Sequence, residues 1–226
     1  MARRRKSHRL RVIGIVAVLA VLVAGGWYLV RHPGWKPFAP APPHPADAAQ
    51  IDAGNEGHEV RVSGTLAFER APHDPALGVE ADGLVLFRRV EMFQWQEHCD
   101  GANCRYEPEW SGHAIDSSHF RTPAGHANPA FPFADARFAA GAIRLGAYTV
   151  DPAVVAAQLP SVAVAATAAA LPPNLAASFR EADGVLYAGD DPAHPKVGAL
   201  RVSFRVIQPT TATLSGVQRG HRLAAE

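Results

Sequence analysis

Two cysteines, a near-balanced charge and the lack of any phosphate-loop or protease signature remove whole classes of function from this 226-residue chain. Its 22 Lys and Arg stand against 21 Asp and Glu, a net charge of +1. That argues against a nucleic-acid partner, which needs cations clustered on one face. Neither Gly-x-x-x-x-Gly-Lys nor Gly-x-Gly-x-x-Gly occurs, so no glycine-rich loop is available to cradle a phosphate. There is no His-Glu-x-x-His helix for zinc and no Gly-x-Ser-x-Gly elbow for a hydrolase. Cys99 and Cys104 have the wrong spacing for a Cys-x-x-Cys redox pair, and His98 alone adds too little for a zinc cage. In an exported chain the two read as a disulfide across the turn Asp100-Gly101-Ala102-Asn103.

Charge is also missing from Val12 to Val30, an unbroken and mostly aliphatic run. About 19 residues at 1.5 Å rise span a hydrocarbon core of roughly 30 Å. Arg3, Arg4, Arg5, Lys6, Arg9 and Arg11 precede the run, and Trp27, Tyr28 and Trp35 sit near its exit. The positive-inside rule then predicts an inner (cytoplasmic) membrane protein, single-pass, with a cytoplasmic N-terminus and a periplasmic C-terminal domain, or a luminal one in a eukaryote. An uncleaved anchor is preferred to a cleaved signal peptide, because the run is long and no Ala-x-Ala precedes a polar start. The expected organisation is a basic tail over 1–11, a transmembrane helix over 12–30, a stalk over 31–57 and an exported domain over 58–226. The stalk rests on the six prolines from Pro33 to Pro45, which favour a stiff polyproline-like path.

Within the domain, His58 to Phe68 reads as a kinked strand, and Asp74-Pro75 and Ala81-Asp82-Gly83 as turns around a loop. Leu84 to His98 is the strongest strand signal, with both faces apolar at its start. If Cys99 faces Cys104, the register places Phe93 opposite Trp110, Trp95 opposite Pro108 and Glu97 opposite Tyr106. Phe93, Trp95, Tyr106 and Trp110 then share one face of a hairpin, where aromatic pairs add roughly 0.2–1 kcal/mol each. Such a face is read first as core and second as a candidate interaction or ligand surface. Pro108 demands an edge or bulged strand. Asp151-Pro152 opens a helix, and the Ala- and Val-rich run to Ala170, broken at Pro160, predicts two short helices packed on the sheet. Strands follow at Gly184–Ala188, Leu200–Val206 and Thr211–Gln218. The fold class expected is α+β, an antiparallel sheet with short helices on one side, preceded by one transmembrane helix.

Several runs resemble the transmembrane protein 43 (LUMA) family. They are Val90-Glu91-Met92-Phe93-Gln94-Trp95, the series Tyr106, Trp110, Ile115, Ser117 and Phe120, Gly125-His126-x-Asn128-Pro129, the stretch from Asp191-Pro192 to Phe204, and Gln218-Arg219-Gly220. The resemblance covers most of the chain from about His58, in the same order. It implies a membrane-anchored protein with a large exported or luminal domain and no established catalysis; animal relatives scaffold and self-associate at the inner nuclear membrane and endoplasmic reticulum. It also implies further membrane spans after the domain, whereas this sequence stops at Glu226. The expectation is therefore a bacterial-type, single-span variant or a truncated product.

His113, Asp116, Ser117, Ser118 and His119 supply the residue types of a catalytic triad, but consecutively rather than from separated segments. His113, Asp116, His119 and His126 are weak metal candidates, since imidazole and carboxylate suit zinc but no helix spaces them. Ser and Asp beside turns are more often local caps. Glu97, Glu107 and Glu109 read as a solvated edge. The function expected is a non-enzymatic scaffold or assembly protein without a cofactor. Its partners are the membrane through residues 12–30 and itself or another envelope protein. The alternatives are a lipid- or cell-wall-ligand-binding domain and, behind it, a metal-dependent hydrolase.

Overall fold

A computed structural model describes Trp27, Arg31 and residues 42–225. The chain divides into two units, Met1–Pro42 and Pro43–Glu226. In the first, the Arg31 guanidinium lies 4.6 Å over the Trp27 ring. The second carries fifteen strands: β1 (His44–Ala46), β2 (Glu59–Ala67), β3 (His73–Asp74), β4 (Val79–Glu80), β5 (Val85–Asp100), β6 (Asn103–Ser111), β7 (Ala136–Ala139), β8 (Arg144–Leu145), β9 (Tyr148–Val150), β10 (Val162–Val164), β11 (Arg180–Ala182), β12 (Val185–Ala188), β13 (Leu200–Ile207), β14 (Thr211–Arg219) and β15 (Arg222–Ala224). Two short helices, α1 (Pro152–Gln158) and α2 (Pro173–Ala176), complete it.

The first sheet runs β1-β2-β14-β15-β9-β8, and β8 pairs back onto β2 through Leu66–Leu145 and Ala67–Arg144. Five strands thereby close into a small barrel filled by Val60, Val62, Leu66, Leu145, Tyr148, Leu214 and Leu223. Closure leaves those strands without an open edge. The Tyr148 hydroxyl donates to Gln218 Oε1 (3.1 Å), and Gln218 Nε2 donates to the Asp52 carbonyl (2.7 Å), so the buried polar atoms are partnered.

The second sheet centres on β13 and β5, paired antiparallel from Leu200–Met92 to Ile207–Val85. β12 and β10 flank β13, and β11 lies beyond β12; β7 and β6 share the other side of β5. Strict alternation along β5 divides its work. Leu86, Val90 and Met92 face a core with Val202, Phe204, Val206 and Leu171, while Val85 joins the barrel core. Arg88 enters the former core, donating 2.9 and 2.8 Å bonds to both oxygens of fully buried Asp74, whose carboxylate also accepts from the Ala76 and Leu77 amides. The guanidinium lies 5.6 Å from the Phe138 ring centre.

This architecture corrects the α+β expectation: the fold is mostly β, a barrel beside an open sheet. Asp151 does cap α1, its carboxylate accepting from the Ala153 amide with Pro152 in the first turn. Beyond Pro160, however, Val162–Val164 pairs with β13, and only a 3-10 turn at Ala168–Ala170 and the four-residue α2 follow. β-branched valines beside a free strand edge outweigh the helix propensity of the alanines between them. The segment 31–57 assigned to a stalk contains β1, which pairs parallel with β2 in the first sheet. Among the described residues no helix is long and apolar enough to cross a membrane. The single-pass localisation and the transmembrane helix expected from Val12–Val30 thus have no spanning helix behind them here, and apart from Trp27 that run lies outside the described residues.

Candidate functional site

β5 outruns its neighbour. β13 stops pairing at Met92, and Phe93 exchanges two last bonds with Gly198 and Ala199. Residues from Gln94 onward are held in a ladder only by β6, so β5 and β6 form a projecting hairpin. Cys99 pairs with Cys104, Phe93 with Trp110, Trp95 with Pro108 and Glu97 with Tyr106, the register expected from the cysteines. The cysteines are disulfide-bonded, and Gly101, at φ +58°, takes the first central position of the two-residue turn.

A loop over residues 112–135 wraps the free edge of β5. The Asn128 side chain accepts from the Trp95 amide (2.7 Å) and donates to the Trp95 carbonyl (3.0 Å), standing in for a missing strand. The Asn128 amide donates to Ser117 Oγ, and Gln94, fully buried, donates to the His113 carbonyl and accepts from the Ile115 amide. Glu97 accepts from the Tyr106 hydroxyl (2.7 Å) and the Arg121 amide (2.6 Å). The Tyr106 bond first, and the Arg121 bond second, hold its carboxyl below the ordinary glutamate range.

Each predicted site residue now has a place. His126 stacks on Tyr106 at 4.0 Å and meets Trp95 edge-on at 4.9 Å, and Phe120 covers Tyr106 from 5.8 Å. Trp95 and Tyr106 are therefore roofed by the loop. Asp116 accepts from the Ser118 hydroxyl and amide, which hold its carboxyl below the usual aspartate range, and lies 3.2 Å from the exposed His119. These contacts cap a 3-10 turn at Ser117–His119. His113, Asp116, His119 and His126 do not converge as metal ligands among the described residues. Glu97 does lie close to Cys99 and Cys104, but those sulfurs are bonded to each other and are not thiolate ligands.

Trp110 is the hairpin aromatic that opens onto a cleft. The Arg201 guanidinium lies 4.4 Å over its ring while Arg201 Nε donates to Glu91 Oε2 at 2.7 Å. Tyr187 approaches Trp110 edge-on at 6.4 Å, and its hydroxyl, pushed up in pKa mainly by burial, donates to the Asp191 carbonyl. Asp183 and Gly184, both at positive φ, make the tight β11–β12 turn that places Asp183 at the rim. The cleft holds about 350 Å³ and also includes Pro192. Sequence reasoning did not single out Arg201 or Tyr187. The usable signal was Arg201 standing opposite Glu91 once β13 and β5 are paired. Phe93 and Trp95 do not line this cleft, so it is not the deep apolar pocket that a lipid would require.

The sequence pattern described as Transmembrane protein 43 matches residues 92–225, more than half of the chain. The chain belongs to the transmembrane protein 43 family. Human Transmembrane protein 43 is 27% identical over 163 residues, covering 66% of this chain and 40% of the human protein. The mouse protein is 27% identical over 164 residues with the same coverages. The Drosophila melanogaster homolog is 26% identical over 196 residues, covering 76% of this chain and 49% of its own length. The chain thus spans less than half the length of these relatives. No solved structure matches. The family resemblance was read from Gln94, Trp95, Ile115, Ser117 and Asn128 among others, and these residues tie the loop to the hairpin.

Proposed function

We propose that this member of the family is a non-enzymatic interaction module that docks another protein, or a second copy of itself, at the Trp110–Arg201–Tyr187 cleft. The observation carrying this reading is the composition of the cleft: a half-buried Trp with an Arg stacked on it and a Tyr beside it. Trp, Tyr and Arg are the residues most enriched at the energetic centres of protein interfaces. Each presents a large flat surface with a polar tip, and here Glu91 fixes the Arg201 fork before any partner arrives, which lowers the cost of ordering it. The projecting hairpin and its charged outer strand supply a rim.

The test is affinity capture of the full-length chain with mild crosslinking from its native cells, beside sedimentation of the purified chain. One defined partner, or self-association, should be recovered from wild type and fall at least about tenfold with Trp110→Ala, a hot-spot loss of about 1.4 kcal/mol or more. Unchanged recovery with a folded Trp110→Ala chain removes the cleft from the interaction. A second reading, a small ligand in the same cleft, draws on its volume, which lies within the range of small-molecule sites. Asp183, Glu91 and Arg201 favour a polar ligand over a lipid or an apolar cell-wall fragment.

A further inference from the structure

The opposite face of the hairpin carries a second cluster that the docking reading does not use. His98, Glu107 and Glu109 each bring one ligand atom to within 4.8 Å of the other two. β pairing produces the convergence: Glu107 stands opposite Gln96 and Glu109 opposite Gln94, so both carboxylates share the face of His98. His98 Nε2 lies 3.3 Å from Glu109 Oε1. Nevertheless that nitrogen has essentially no solvent-accessible surface and no hydrogen-bond partner. A buried polar atom without a partner is costly, and this one lies within 4.8 Å of an oxygen from each of two carboxylates.

We propose that His98 Nε2, Glu107 and Glu109 bind a single divalent ion of the zinc class, with solvent at the fourth position. One neutral imidazole and two carboxylates balance a double positive charge, and zinc accepts nitrogen and oxygen at about 2.0–2.2 Å. The two carboxylates are about half exposed, so they move inward at small cost. Arg105, now 3.2 Å from Glu107 Oε1 with a side chain 70% exposed, swings out as the ion enters. The ion ties β5 to β6 on the face away from the aromatic cluster, its ligands one, three and five ladder positions from the disulfide. Calcium and magnesium, which prefer six or more oxygens, are poor occupants of a three-ligand site with nitrogen.

The test uses the full-length, disulfide-bonded chain, stripped with a chelator and titrated with Zn²⁺ against a chromophoric competitor at neutral pH. The expected result is one Zn²⁺ per chain, with affinity reduced at least about tenfold in His98→Ala and in the near-isosteric Glu109→Gln. His194→Ala, an exposed histidine elsewhere, should bind as wild type does. Ring-resonance shifts confined to His98 on adding Zn²⁺ give a readout independent of affinity. Failure to bind Zn²⁺ at millimolar concentration, or equal binding by a folded Glu109→Gln chain, overturns the proposal and leaves His98 as a plain ion-pair partner of Glu109. Either outcome is separate from the cleft, because neither variant touches Trp110, Tyr187 or Arg201.

Discussion

The barrel hides its strand edges by closing on itself, whereas the larger sheet leaves β6 and β11 at its borders. Their interiors differ in the same sense. The barrel buries a neutral pair, Tyr148 and Gln218, and the sheet buries a charged one, Arg88 and Asp74. Every candidate interaction feature belongs to the open sheet: the hairpin, the wrapped loop, the Trp110 cleft and the His98 cluster. A closed ring uses up its backbone donors and acceptors internally, while an open sheet must end its strands with side chains such as Asn128 on Trp95 or Asp135 on Val90. Those side chains fix where the hairpin stands, so the site depends on a few polar contacts rather than on a large apolar area.

The comparison breaks most sharply at the ion pair. Arg88→Met leaves Asp74 charged and buried without its partner and should cost about 3–5 kcal/mol in urea denaturation. Adding Asp74→Leu should recover much of this, though not all, since the Ala76 and Leu77 amides then lose their acceptor. In the barrel, Leu214→Ala should cost about 3 kcal/mol, within the usual range for a fully buried leucine. A loss below about 1 kcal/mol would mean that the ring collapses around the gap. Tyr148→Phe is milder, about 1–2 kcal/mol, because it leaves only Gln218 Oε1 short of a donor. Should that change cost as much as Arg88→Met, the proposed contrast between neutral and charged interiors fails.

The larger sheet was more legible in the sequence than the barrel, and the reason is local pairing. Cys99 and Cys104 face each other across a two-residue turn, so one assumption set the register from Met92 to Asp100. β13 shows plain alternation in its sequence, and outside that sheet Asp151-Pro152 marks a helix start that does form. Barrel closure, by contrast, rests on Leu66 and Ala67 meeting Leu145 and Arg144, some 78 residues away, and nothing local announces such a pairing. The second helix expected before Ala170 does not form for a related reason: Val162–Val164 pairs with the edge that β13 offers, and its alanine-rich surroundings do not announce that partner. For the candidate site, Trp110 was named, but Tyr187 and Arg201 reach it only through the β12–β13–β5 pairing. Glu107 and Glu109 read in the sequence as a solvated edge, because their convergence with His98 depends on twist as well as register.

The smallest expected effect sharpens the same contrast at the loop. Because the hydrogen bonds from Tyr106 and Arg121 hold the Glu97 carboxyl below its ordinary value, they stabilise the ionised form in the folded chain. The sign follows directly: the contribution is fully present above the unfolded glutamate value of about 4.3 and is lost as pH falls through the lower folded value. No such dependence should reach the barrel, whose Tyr148–Gln218 contact is neutral across this range. The Arg121 amide resonance should therefore stay constant from pH 8 to 5 and move only below the ordinary glutamate range, with Thr122, bonded to the Tyr106 hydroxyl, following it. Glu97→Gln should abolish that titration while leaving the disulfide and the aromatic stack in place. A shift of Arg121 centred at or above the ordinary value would show instead that the loop does not hold Glu97 in its ionised form, and that Asn128 and Gln94 fasten it to the hairpin without Glu97.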